Sequence, residues 1–215
     1  MFAKYPEKGK VKTRLCGKWH EGIVARLCRS FIEDLLDRLS CGDYDFRIAY
    51  HPVEKKIDFI KKFGNGFSYM AQIGTDWGER MNGAFTRVFL DEFQTVIIIG
   101  SDSPDLPREI IEEAFQSLEK NGAVMGPSRD GGYYLIGFRQ KSFFPGAFKG
   151  IAWGTDHVFE KTMGLLQNAG ISVHVLPLWL DVDTPEDVAA LVRNNEKSDF
   201  SDSKTISFLK NHGMA

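Results

Sequence analysis

Cysteine is scarce in this chain: Cys16, Cys28 and Cys41 are the three among 215 residues. Their odd number and the lack of any C-x-x-C spacing exclude a disulfide framework and argue against a zinc site. Cys28 and Cys41 read as members of a buried helix and its end. Long apolar runs are missing as well. Stretches such as Val96–Ile99 fall far short of the roughly 20 residues a membrane-spanning helix needs. No charged-then-apolar leader opens the sequence, because Lys4 follows Met1 almost at once. A cytoplasmic location is the expectation. Net charge is also small, at −2, so nothing global attracts nucleic acid or an anionic membrane.

What remains is enough for one domain with its own core. Hydrophobic residues make up 43% and charged residues 26%, which is ordinary globular composition and not that of a disordered chain. Helical and extended patterns alternate along the sequence. Met1–Ala3 read as the end of a strand whose earlier part is missing, and 4–18 as a basic loop. Ile23, Leu27, Phe31, Leu35 and Leu39 recur at helical spacing, so His20–Leu39 is a long amphipathic helix. Phe46–Tyr50 and Phe67–Gln72 read as strands flanking a helix over Val53–Phe63. Trp77–Leu90 is helical, and the β-branched Thr95–Ile99 is a central strand buried on both faces. Pro107 suits the first turn of a helix reaching Leu118. Strands follow at Ala123–Met125 and Tyr133–Phe138, then a helix at Asp156–Gln167 and an extended stretch at Ile171–Leu176. Asp183 or Thr184 caps a last helix that has Pro185 in its first position. The arrangement predicts an α/β fold covering residues 1–195, with a mostly parallel sheet between helical layers. Residues 196–215 form a polar tail or short helix. In such sheets ligands sit at the carboxyl ends of strands, which singles out the loops after Ala3 and Ile99 and before the last helix.

Three constellations there could carry chemistry. The first loop holds Lys4, Lys8, Lys10, Lys12, Arg14 and Lys18 against one acid, Glu7. Such a loop suits a phosphate chain, with Gly9 allowing close backbone approach. It is neither a Walker A loop nor a G-x-G-x-x-G turn, and a plain solvated basic loop explains its composition equally well. The second is Ser101-Asp102-Ser103-Pro104-Asp105. A hard divalent cation wants carboxylate oxygen, and Mg²⁺ takes one or two protein carboxylates plus phosphate oxygens; capping of the next helix is the plainer reading. The third is Asp181-Val182-Asp183-Thr184-Pro185-Glu186-Asp187. Asp181 and Asp183 share one side of an extended segment, while capping accounts for Glu186 and Asp187. Between two strands, Asp130-Gly131-Gly132-Tyr133-Tyr134 offers paired glycines against which a ligand could lie; a long hairpin loop is the alternative. In Gly74–Met81, Thr75 or Asp76 reads as a helix cap. His157 reads as structural, and Trp153 and Trp179 as packing residues with base stacking left open.

In order, Phe2-Ala3-Lys4-x-Pro6-x-x-Gly9-Lys10-x-Lys12-Thr13-Arg14-Leu15, Gly78-Glu79-Arg80-Met81, Gly100-Ser101-Asp102-Ser103-Pro104-Asp105-Leu106, Gly126-Pro127, Asp130–Gly137, Trp153-Gly154-Thr155 and Asp181–Asp187 resemble a family of GT-A-like glycosyltransferases of the radical-SAM/selenodomain-associated type. The resemblance runs to about Arg193. It extends distantly to the molybdenum-cofactor and phospholactate guanylyltransferases of the nucleotide-diphospho-sugar transferase fold. It implies a three-layer α/β/α enzyme that takes a nucleotide or nucleotide-sugar donor and an unidentified acceptor, and binds neither nucleic acid nor membrane. Lys4, Gly9, Lys10, Lys12 and Arg14, with Arg80, Gly131 and Gly132, are the implied donor-binding residues. Asp102, with Asp183 and Asp181, is the implied Mg²⁺ or Mn²⁺ site. The Asp130–Tyr134 segment is implied to shape the acceptor pocket. Asp102, Lys12, Arg14 and Asp130 are the candidate catalytic set, with Asp130 the candidate carboxylate base for glycosyl transfer. Family members normally carry several apolar residues before the Phe-Ala-Lys segment, which this sequence lacks. Transfer of a sugar is the first expectation; nucleotidyl transfer from a triphosphate, or a non-catalytic nucleotide-sensing module, are the alternatives.

Overall fold

A computed structural model describes residues 1–214 of the chain. Seven strands and seven α-helices alternate through the described residues. Strands β1 (Phe2–Lys4), β2 (Arg47–His51) and β3 (Ser68–Ala71) form a parallel sheet in the order β1-β2-β3. Strands β4 (Thr95–Ile99), β5 (Ala123–Pro127), β6 (Tyr133–Arg139) and β7 (Val173–Val175) form a second sheet in the order β4-β6-β5-β7. In it β6 runs antiparallel to both neighbours, while β5 and β7 are parallel. The sheet is mostly parallel, as the sequence predicts, but it is split into two parts and contains one reversed strand. The reversal follows from the loop 128–132, which is too short for the helical crossover that parallel strands need. Where the two sheets meet, an apolar slot of about 100 Å³ opens between Phe46–Ala49 and Thr95–Ile99.

Side chains alternate across these strands as the pleat requires. Ala3, Ile48, Tyr50, Ile99, Val124 and Leu135 join one core, facing α1 (Glu21–Leu39) and α4 (Arg108–Ser117). Phe2, Ala49, Ile98, Met125, Ile136 and Phe138 join a second core, facing α3 (Trp77–Leu90) and α5 (Val158–Asn168). A buried face on each side makes this the three-layer α/β/α arrangement. The helix α2 (Lys56–Phe63) is short and contributes Phe59 to the first core.

The last segments are more ordered than their polar composition suggests. Helix α6 (Pro185–Asn194) opens with a capping box: the Thr184 hydroxyl accepts from Asp187 N, and the Asp187 carboxylate accepts from Thr184 N. A 3₁₀ turn at Asp199–Asp202 leads to α7 (Lys204–Asn211). Phe200, Ile206, Leu209 and Met214 are buried in a third core with Leu27 and Phe31 of α1. The Asp34 side chain on α1 accepts hydrogen bonds from Lys204 N (3.0 Å) and Thr205 N (2.8 Å). A carboxylate of one helix therefore satisfies the first free amides of another, nearly the whole chain away. No helix among the described residues is long and apolar enough to cross a membrane.

Asp34→Ala removes the acceptor for two buried amides. It is expected to cost about 2 kcal/mol, read as a lower urea midpoint, and to free α7 first. Unchanged stability would show that α7 is held by its apolar face alone.

Candidate active site

The three loops singled out by the sheet rule converge on one cleft. After β1 the chain runs through Gly9, which has a positive φ of 69°, to Lys12. Lys12 is itself at φ 43°, a left-handed conformation rare for a long side chain and found where surroundings enforce it. Its side chain is 7% exposed, and its ammonium lies 2.9 Å from Asp102 Oδ1 and 2.6 Å from Asp183 Oδ1. Burial alone would lower the Lys12 pKa, but Asp102 and Asp183 outweigh it and hold the group above the usual lysine value. Asp102 follows β4 directly, and its carbonyl accepts from Val182 N at 2.9 Å. That bond clamps the 181–183 segment against the end of β4. Asp187 adds a second clamp by accepting from Asp183 N at 3.1 Å.

Asp181 stands apart from this bridge. Its carboxylate takes the Ser103 hydroxyl in a short hydrogen bond. Burial and then the neighbouring Asp102 charge push its carboxyl up to about 7, against the pull of Ser103 and Lys12. Asp130 accepts from the Ser128 hydroxyl and from Gly132 N (3.0 Å), so it shapes its own loop. Gly131, at φ 85°, lies so close to Asp156 that a Cβ would collide with its backbone carbonyl, and its own carbonyl accepts from Phe159 N at 2.9 Å.

Two adjoining cavities use these groups. One, of about 660 Å³, is lined by Lys4, Lys10, Lys12 and Arg14 together with Asp102 and Asp183. This volume is in the range of small-molecule and cofactor sites. The second, of about 210 Å³, is lined by Trp77, Met81, Tyr133, Trp153 and Asp181. Asp102 and Asp130 border both. Lys4, Lys10, Lys12, Arg14, Asp102, Asp130 and Asp183 thus come together at the larger cavity, and Asp181 and Gly132 line the smaller. Gly9 turns toward Glu21. Arg80 donates to the Gly74 carbonyl at 3.1 Å and borders neither cavity; its place is the turn before α3. Gly131 supports the wall from behind.

Sequence reasoning passed over Trp77, which is 49% exposed at the mouth of both cavities. It stacks on Phe2 with ring centroids 6.2 Å apart. An aromatic directly after the cap Asp76, on a helix whose buried face starts elsewhere, was the available signal. Trp153 borders the smaller cavity, whereas Trp179 packs on Tyr134 and donates to Asp105 at 2.9 Å. Asp105 also accepts from Asn195 at 2.9 Å, so it ties three segments together and caps no helix.

A divalent cation fits part of this donor set. No group of three or more His, Cys, Asp or Glu side chains is gathered for a metal among the described residues, and the Asp181 carboxylate is engaged by Ser103. Two carboxylates nevertheless converge on one cationic centre, and Mg²⁺ needs only one or two from the protein when phosphate supplies the rest. Asp102 and Asp183 are the residues that would hold it.

Comparison with known proteins places the chain. A family described as "Uncharacterized protein conserved in bacteria (DUF2064)" matches residues 35–155, more than half of the sequence, and the chain belongs to it. A crystal structure from Desulfovibrio desulfuricans G20, of a protein provisionally named a nucleotide-diphospho-sugar transferase, is 41% identical. It superposes with a TM-score of 0.96, covering 99% of this chain and 94% of that one. The 2-phospho-L-lactate guanylyltransferase of Methanocaldococcus vulcanius is 23% identical over 95% of this chain and 86% of its own length. CMP:2-keto-3-deoxy-manno-octonic acid synthetase, solved with CTP, is 14% identical with a TM-score of 0.54, covering 90% of this chain and 96% of that one; it shows the fold alone. The fold is that of nucleotidyl- and nucleotide-sugar transferases.

Gly131→Ala meets both a positive φ and the Asp156 carbonyl, whereas Gly154→Ala, at φ 84°, meets no neighbour. The first is expected to lower the melting temperature clearly more than the second, whose backbone penalty alone is about 1–2 kcal/mol. Equal losses would mean that the wall behind Asp130 yields freely.

Proposed function

We propose that this protein is a metal-assisted nucleotidyltransferase that takes a nucleoside triphosphate, transfers the nucleotidyl group to a small acceptor and releases pyrophosphate. The observation that carries this reading is that one cleft is lined by Lys4, Lys10 and Arg14 together with Asp102 and Asp183, which Lys12 bridges. A triphosphate carries more negative charge than the diphosphate bridge of a nucleotide-sugar, and suits so basic a wall better. The guanylyltransferase relative, aligned over nearly the whole chain, supports the same reaction.

In this reading the acceptor oxygen attacks the α-phosphorus from the side of the smaller cavity. The bond from that phosphorus to the bridging oxygen breaks, and its electrons leave with pyrophosphate. Lys10, Lys12 and Arg14 offset the charge that grows on the leaving group, a form of electrostatic stabilisation that is usually the largest catalytic contribution. Asp102 and Asp183 would hold a divalent cation, which would supply Lewis-acid polarisation of the phosphoryl oxygens. Asp130, which borders both cavities, is the proton acceptor for the attacking hydroxyl or acid. Sugar transfer from a nucleotide-sugar is the second reading. It is favoured by the provisional name of the 41% identical relative, and it uses the same cleft with a nucleoside diphosphate as leaving group.

Thermal unfolding against a panel of nucleoside triphosphates and nucleotide-sugars, each with and without Mn²⁺, separates the two. A ligand at a hundredfold its dissociation constant adds about 2.7 kcal/mol. A metal-dependent shift with one triphosphate is expected, and a shift with a nucleotide-sugar alone would transfer support to the second reading. Once the preferred triphosphate and an acceptor are known, Asp102→Asn should stay folded and release pyrophosphate about a hundredfold more slowly or worse.

A further inference from the structure

The seat formed by Asp102 and Asp183 is fixed by bonds that do not involve Lys12. Val182 N donates to the Asp102 carbonyl, and Asp187 accepts from both Asp183 N and Thr184 N. These bonds hold the backbone on which both carboxylates are carried, independently of the lysine. Lys12, by contrast, reaches them on a flexible stem from a backbone held at positive φ. Its ammonium touches one oxygen of each carboxylate, at 2.9 and 2.6 Å. A hard divalent cation sits at about 2.1 Å from carboxylate oxygens when it is Mg²⁺, so an ion between these two oxygens and the ammonium occupy the same space with like charge. Lys10, Arg14 and Lys4 border the same cavity, and a polyphosphate lying along them offers Lys12 a new set of anionic oxygens.

We propose that Lys12 is a resident counter-ion of the metal seat, displaced only when a polyphosphate arrives to receive it, so that cation and nucleotide bind together and neither binds well alone. This inference rests on the metal-assisted reading of the cleft and adds an order of assembly to it. Without ligand, Lys12 neutralises two carboxylates that would otherwise repel each other and keeps stray divalent ions out. With a nucleotide, the ammonium moves to the phosphates and the freed oxygens take the ion. Linkage makes the effect reciprocal: the cation tightens the nucleotide by the same factor as the nucleotide tightens the cation.

The test is a Mn²⁺ titration followed by electron paramagnetic resonance. It uses the wild-type chain and Lys12→Met, each with and without α,β-methylene GTP or CTP, corrected for Mn²⁺ held by free nucleotide. Circular dichroism confirms folding, and Lys12→Gln replaces Lys12→Met if the latter does not fold. Without nucleotide, the variant is expected to bind Mn²⁺ about tenfold or more tightly than wild type, and a second change, Asp102→Asn, should abolish the gain. With the analogue, wild-type affinity should rise by a similar factor while the variant gains little. Equal affinity of wild type and variant without nucleotide, with Mn²⁺ bound in both, overturns the counter-ion role and leaves the metal-assisted reading standing. No Mn²⁺ binding by either protein with any nucleotide overturns both.

Discussion

One ammonium holds the cleft together. Lys12 joins the first loop to the end of β4 and to the segment before α6, three pieces of chain that the sheets alone do not fasten at their tips. Its neutralising charge lets Asp102 and Asp183 face each other, and its stem pulls the basic loop over the cavity that Lys10 and Arg14 border. Lys12 is the shielded member of this bridge, and taking away its carboxylates would leave a buried charge without compensation. The cost is visible in the backbone, since Lys12 is one of only two non-glycine residues at positive φ among the described residues.

Around this bridge the site divides its labour by chemistry. Bases line the side where phosphate is expected, acids the middle, and aromatic rings the far pocket. The division follows from which strand end each loop leaves. β1 delivers the bases, β4 delivers Asp102, and the β5–β6 connection delivers Asp130 and its supporting glycines. Asp181 shows how two carboxylates two residues apart acquire different characters. Asp183 meets an ammonium, whereas Asp181 meets a hydroxyl and a neighbouring negative charge.

The periodicities of the sequence foretold nearly every element, because alternating burial in β2, β4 and β6 and helical spacing in α1 are local properties. The carboxyl-end rule then singled out three loops that meet at one cleft, though not the β5–β6 connection that also lines it. Strand direction was harder to read: nothing in Tyr133–Arg139 itself encodes its reversal, which depends on the length of the preceding loop. The partnership of Lys12 with Asp102 and Asp183 was also invisible, since 171 residues separate Lys12 from Asp183 and any of six bases might have filled the place. Asp105 and Arg80 looked functional by position, but their hydrogen bonds hold neighbouring segments. Residues 196–215 read as a polar tail or a short helix; a short helix forms at Lys204–Asn211, where the few apolar positions, Phe200, Ile206 and Leu209, are buried in one core with α1.

The hydrogen bond from Val182 N to the Asp102 carbonyl has a bearing on how the protein is made. During synthesis the basic loop, β4 and the glycine-rich connection all leave the ribosome long before residue 182 does. Until then the end of β4 has neither its backbone clamp nor Asp183, and Lys12 has half of its partners. Asp34 likewise waits for the amides of Lys204 and Thr205. A nascent chain stalled before Val182 therefore carries the strands and the bases but lacks both the clamp on β4 and Asp183, so the cleft is completed only after those residues have been made.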